Sequence, residues 1–315
     1  MTEQLQAGQS PQRGQMERKR VTMCLCVILC GAFIIGLTFL CKSISRTGIF
    51  WCLCPLLGTG ASALFLRRPW REYRAAYRTD FVCDALKSEF PGLRYEPFGG
   101  IPVETIADTG MAYMGHRGYV TDGIQMRCNG LSLEQSYIRA EVYEVSYDDE
   151  GGKSAGYVPV VSARWMIFDF DNPFRADLRI AQKGFHGTSA KWFCRSDYQN
   201  SFERTGVSLD SSSKKFIIYC RNGPCNPDSV TPALMERIEA LAKHTRGKLM
   251  IGFIGNRLHI AVDDDRNILD PPQFVFLPVR KTRALRAFRN EIEAVTQFVS
   301  NLQHNRNLFK QEVKL

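Results

Sequence analysis

Histidine is scarce in this sequence, with five in 315 residues, and no two share a motif. Neither His-Glu-x-x-His nor Cys-x-x-Cys occurs. A zinc site needs three or four convergent ligands, so no metal and no cofactor is expected. Gly-x-Ser-x-Gly is missing as well. Gly151–Ser154 (GGKS) resembles the end of a phosphate-binding loop, but Tyr147 stands where the motif needs its first Gly. The stretch reads instead as a hairpin loop. Ser211 with Lys214, and Ser212 with Lys215, match Ser-x-x-Lys, but no partner motif follows. Asp263–Asp265 with Asp270 lacks the alternating calcium-loop pattern and reads as a solvated loop. No catalytic, cofactor-binding or metal-binding residue is assigned. The one candidate grouping for an assembled site is Asp169 and Asp171 with His186, and nothing in their spacing draws them together.

A disulfide framework is not expected either. Of eleven Cys, six lie in apolar runs (Cys24, Cys26, Cys30, Cys41, Cys52, Cys54) and five are scattered (Cys83, Cys128, Cys194, Cys220, Cys225). An odd, dispersed set reads as small hydrophobes. Cys220 ends an apolar strand and is expected as a buried thiol. No Asn-x-Ser/Thr acceptor is present.

What the chain does have is two uncharged apolar runs, Val21–Cys41 and Gly48–Leu66, joined by Lys42–Thr47. A helix rises about 1.5 Å per residue, so roughly 20 apolar residues cross a bilayer core. The pair predicts a transmembrane helical hairpin. Basic residues mark the cytoplasmic flanks of spans. Arg13, Arg18, Lys19 and Arg20 precede the hairpin, and Arg67, Arg68, Arg71, Arg74 and Arg78 follow it. The loop has only Lys42 and Arg46. Both termini are therefore expected on the cytoplasmic side of a bacterial inner membrane. The net charge of +9 follows largely from these flanks. They fit anionic lipid headgroups. The rest of the chain has no basic-aromatic motif for nucleic acid.

Residues 1–20 are polar and read as a disordered tail, and 21–66 as the hairpin. Residues 67–90 read as a juxtamembrane stem helix, with Tyr73, Tyr77, Phe81 and Leu86 at helical spacing up to the Pro91–Gly92 breaker. Residues 91–315 read as one α+β domain with a mainly antiparallel sheet. Strands are expected at Tyr119–Cys128, Tyr137–Val145, Tyr157–Phe170 and Lys214–Cys220. A hairpin over Gly255–Asn256 joins Lys248–Ile254 to Arg257–Val262. Thr231–His244 has an N-cap Thr, Pro232 at the first helical position and Gly247 beyond its end. Thr282–Gln303 carries apolar residues at steps of three and four, fit for a core or for a partner.

Several segments in order carry a family resemblance: GGIP at Gly99–Pro102, YMGHRGYVTDG at Tyr113–Gly123, FDFDNPF at Phe168–Phe174, KFIIY at Lys215–Tyr219, TPALMER at Thr231–Arg237 and IGFIGNRLHI at Ile251–Ile260. Over about Trp70–Asn307 the chain resembles the bacterial membrane-anchored family catalogued as domain of unknown function 3137. It departs from that family at SLDSSSKKF before Phe216 and at LDPP (Leu269–Pro272). The resemblance implies an anchored α+β domain and no particular activity. The expected role is a binding or scaffold protein with a protein partner at the membrane. The alternative is a tethered enzyme or small-ligand sensor. Two uncharged spans offer no polar pathway for transport.

Overall fold

The computed structural model describes residues 10–44, 49–147, 152–188, 202–205, 215–221, 230–264, 266–271, 281–305 and 308–310. Several sequence expectations fall outside them: residues 45–47 of the Lys42–Thr47 loop, Gly151 of the GGKS stretch, Ser211–Lys214, Cys194, Cys225 and Asp265. The chain divides into two units, Met1–Glu89 with Leu269–Thr282, and Phe90–Ile268 with Arg283–Leu315.

In the first unit the apolar runs become helices α1 (Ser10–Ile44) and α2 (Ile49–Ala76). Helix α1 thus begins inside the segment expected as a tail. Leu25, Ile28, Leu29, Phe33, Ile35 and Phe39 all stand exposed on it. A helix apolar all round needs an apolar surrounding. Gly14–Leu40 is long and apolar enough to cross a membrane, and among the described residues it alone meets that test. The expected pair of spans is therefore matched by one candidate span. The two helices touch at Gly58, where a Cβ would lie 3.4 Å from Leu37 and 3.5 Å from Ile34. Added Cβ atoms at Gly31 and Gly36 would meet nothing within 4 Å.

The stem continues α2 without a break, through a π-helical stretch (Tyr77–Val82) into α3 (Cys83–Glu89). Tyr73, Tyr77 and Phe81 lie four apart, their rings in tilted contact with centroids 6.3 and 5.1 Å apart. On the same stem, Arg74 and Arg78 both donate to Asp270, at 2.8 and 2.6 Å.

The second unit is built on an antiparallel sheet, nine strands among the described residues, in the order β1-β2-β3-β4-β9-β8-β5-β7-β6. They are β1 (Arg94–Glu96), β2 (Arg117–Cys128), β3 (Leu131–Tyr147), β4 (Lys153–Asp169), β5 (Leu178–Gln182), β6 (Phe202–Arg204), β7 (Phe216–Arg221), β8 (Lys248–Ile254) and β9 (Arg257–Asp263). A short helix, α4 (Val103–Ala107), lies between β1 and β2. Asn129–Gly130 closes β2 onto β3 with both residues at positive φ, 50° and 84°, the two-residue turn that Asn-Gly favours. Gly255–Asn256 joins β8 to β9 as expected.

Helices and loops cover the sheet. Helix α5 (Pro232–His244) starts where Thr231 Oγ1 accepts the Leu234 N–H at 3.2 Å. It buries Leu234, Met235, Ile238 and Leu241. Helix α6 (Lys281–Gln303) buries Phe288, Ile292, Val295, Phe298, Val299 and Leu302, so its apolar stripe serves the core. Glu291 of α6 accepts from Arg164 of β4 at 2.7 Å with both side chains buried. Ile138, Ala140 and Val142 of β3 belong to a core cluster with Ile101, Ile106 and Met111.

Candidate binding surface

Strands β3 and β4 pair from Ser132↔Asp169 to Tyr147↔Lys153 and outrun their neighbours. Strand β2 leaves β3 at Arg117↔Glu141, and β9 leaves β4 at Ala163↔Asp263. Beyond those pairs, among the described residues, β3 and β4 form a two-stranded ribbon over Val142–Tyr147 and Lys153–Val158. A lone ribbon is marginal in water. It is nonetheless where this unit exposes its apolar surface. Among the described residues of the second unit, seven large hydrophobic residues stand exposed, and six are on or beside the ribbon: Tyr119, Tyr143, Val145, Tyr147, Tyr157 and Val158.

The register sorts them. Tyr143 faces Tyr157 and Tyr147 faces Lys153 across the ribbon, while Tyr119 faces Arg139 and Arg117 faces Glu141 at its root. Alternation puts Tyr143, Val145, Tyr147, Tyr157 and Tyr119 on one side. Tyr147 is 70% exposed. The Tyr143 and Tyr157 rings meet edge-on at 5.3 Å.

Charges pin the root of this face. The Arg117 guanidinium stacks 3.5 Å from the Tyr157 centroid and 5.5 Å from that of Tyr119. Its Nη2 donates to Glu141 Oε2 at 2.6 Å, and Arg139 Nε donates to Glu141 Oε1 at 2.8 Å. Arg117 foremost, then Arg139, holds the Glu141 carboxyl below its ordinary range despite the burial that pushes it up. Cation–π stacking and paired charge thus fix the tyrosine rings without covering them. Tyr and Arg together are the composition of protein-binding hot spots. The sequence signal was present in the Tyr-x-Val-x-Tyr alternation (Tyr143, Val145, Tyr147), but the expected strand stopped at Val145.

The residues considered for an assembled site are spread apart. His186 Nδ1 and its main-chain N–H both lie against Asp263 Oδ2, at 2.7 and 2.8 Å. Asp263 pairs in register with Ala163, whereas Asp169 lies six residues along β4 and is held by Arg257 at 3.0 Å. At about 3.3 Å per residue, that is roughly 20 Å. Asp171 is exposed beyond the end of β4. Among the described residues, no cluster of three or more His, Cys, Asp or Glu has a metal-holding arrangement.

Cys220 corrects the sequence reading: it is disulfide-bonded, not a free buried thiol. Cys83 and Cys128 are free, and burial pushes the Cys128 thiol up.

Residues 164–304 match the family model described as a protein of unknown function (DUF3137), the family that the sequence motifs resemble. No curated protein matches the chain. Among solved structures, the chain is similar to the mycobacterial trehalose monomycolate transport factor A, TtfA. The identity is 9%, the match covers 72% of this chain and 95% of that one, and the TM-score is 0.39.

Proposed function

We propose that this protein is a non-enzymatic binding or scaffold module held at a bacterial inner membrane, and that it engages a protein partner through the tyrosine face of the β3–β4 ribbon. The exposed Tyr119–Tyr143–Tyr147–Tyr157 face carries this reading. Large rings left in water at the end of an otherwise covered sheet are a surface awaiting a partner. Rings already fixed by Arg117 lose little freedom on binding, so more of the contact energy survives as affinity.

The anchor in this proposal is α1 together with the apolar part of α2. The basic flanks at Arg18–Arg20 and Arg67–Arg78 support crossing and return, with both termini cytoplasmic and the Lys42–Thr47 loop outside. Those arginines also suit anionic headgroups. The separation of Asp169 and Asp171 from His186 weighs against the tethered-enzyme alternative.

The test is purification from solubilised membranes of the full chain and of a Tyr143→Ser, Tyr157→Ser variant. The native chain retains a partner in stoichiometric amount and the variant loses it, although both melt at similar temperatures. A native chain that repeatedly emerges alone overturns the proposal.

A further inference from the structure

The ribbon has an edge as well as a face, and the edge selects how a partner binds. Strand β2 fills the position beside β3 only as far as Arg117. Gly115, at φ +65°, then turns the chain away, and a Cβ there would lie 2.3 Å from the Glu141 carbonyl oxygen. The Tyr143 N–H points outward from the ribbon and donates to His116 Nδ1 at 3.2 Å. Main-chain groups alternate in direction along an antiparallel strand. Those of Val145 and Tyr147 therefore point the same way as that of Tyr143, and no strand among the described residues meets them. An open edge invites pairing with another chain, and folded proteins normally cover or blunt it.

Resting on the binding reading above, we propose that the partner adds an extended segment to this edge of β3, continuing the line of β2 from Tyr143 to Tyr147. Strand addition takes its affinity from the main chain and its selectivity from alternate side chains. On the partner segment, every second residue lies against Tyr143, Val145 and Tyr147, so those positions are apolar or aromatic. Among the described residues, the same face of the ribbon and its root carries Arg117, Arg139 and Lys153 against Glu141, an excess of two positive charges. The segment therefore carries acidic residues among its apolar ones. An anionic membrane surface is the poorer occupant, because the sequence places Asp148, Asp149 and Glu150 directly after Tyr147.

The probe is a displayed library of random peptides of roughly a dozen residues, panned against the full chain in detergent. Enriched sequences alternate apolar residues at period two and include Asp or Glu. A synthetic peptide of the enriched sequence binds the native chain. It loses roughly tenfold in affinity to Val145→Pro, as expected for one main-chain bond left unmade. Proline at a solvent-facing edge position leaves the ribbon's own ladder intact, and Tyr147→Pro, at the last pair of the ribbon, is the second variant. If both proline variants bind as well as the native chain while Tyr143→Ser and Tyr147→Ser do not, the face binds partners by side chains and strand addition is wrong. If no peptide is enriched, strand addition is also overturned. In that case self-crosslinking through Tyr147 would reassign the ribbon to a second copy, and binding to vesicles containing anionic lipid would reassign it to the membrane.

Discussion

Buried polar side chains sit at decisive points of this sheet. His259 of β9 is 2% exposed, and its Nδ1 accepts the indole N–H of Trp165 at 3.2 Å. That bond needs a neutral imidazole with Nδ1 unprotonated. Burial foremost, and then Arg257, lowers the His259 pKa from 6.5 to about 4. Between those values the unfolded chain binds the proton and the folded one refuses it. The stability contribution is therefore complete above pH 6.5 and is lost as pH falls toward 4. The loss amounts to on the order of 3 kcal/mol. Urea midpoints measured in detergent from pH 7 to pH 4 should fall steadily for the native chain and more gently for His259→Gln. Equal slopes would show that His259 is not the group responsible. Arg179, the second residue of β5, is another such residue. It is wholly buried, donates to the Met111 carbonyl at 2.8 Å and stacks 4.0 Å from the Tyr219 ring.

Among the elements, α5 was the most legible in the sequence and the best placed to test the core. Thr231, Pro232 and the Leu234–Ile238–Leu241 stripe announce its start and its inner face, and the structure buries that face. Leu234 is 1% exposed, so Leu234→Asp combines a lost apolar contact with a buried charge. The expected cost is roughly 4 kcal/mol or more, seen as a collapse of the thermal transition, and an unchanged melting temperature would remove α5 from the core. The Asn-Gly and Gly-Asn turns were equally legible, because short-range backbone chemistry decides them. Strand β5 was not. Its five residues include a charged one, Arg179, and its place between β8 and β7 depends on partners far along the chain. The ribbon was half legible: the alternation showed a strand, but only the early departure of β2 and β9 exposes it. The Cys220 bond was misread because the count of cysteines says nothing about which of them meet.

At the scale of the whole molecule two observations pull in opposite directions, and one experiment decides between them. Nine basic residues flank the apolar runs and two lie in the loop, which supports a chain that crosses, returns and keeps residues 67–315 in the cytoplasm. A disulfide at Cys220 belongs more naturally to an oxidising compartment. If only α1 crossed, with the same basic N-terminal flank inside, the sheet would lie outside and the bond would persist. We expect the first arrangement. A membrane-impermeant thiol reagent on intact cells should then modify a cysteine introduced at Ser45 and spare one introduced at Ser212, with modification read at those positions by mass spectrometry. Acid-quenched cells alkylated before reduction should yield Cys220 as a thiol, because the cytosol keeps thiols reduced as the chain folds and the pairing completes only after lysis. Labelling at Ser212 together with Cys220 recovered as a disulfide would establish the single crossing instead. The β3–β4 ribbon would then meet its partner outside the cell membrane, with its tyrosine face and open edge unchanged.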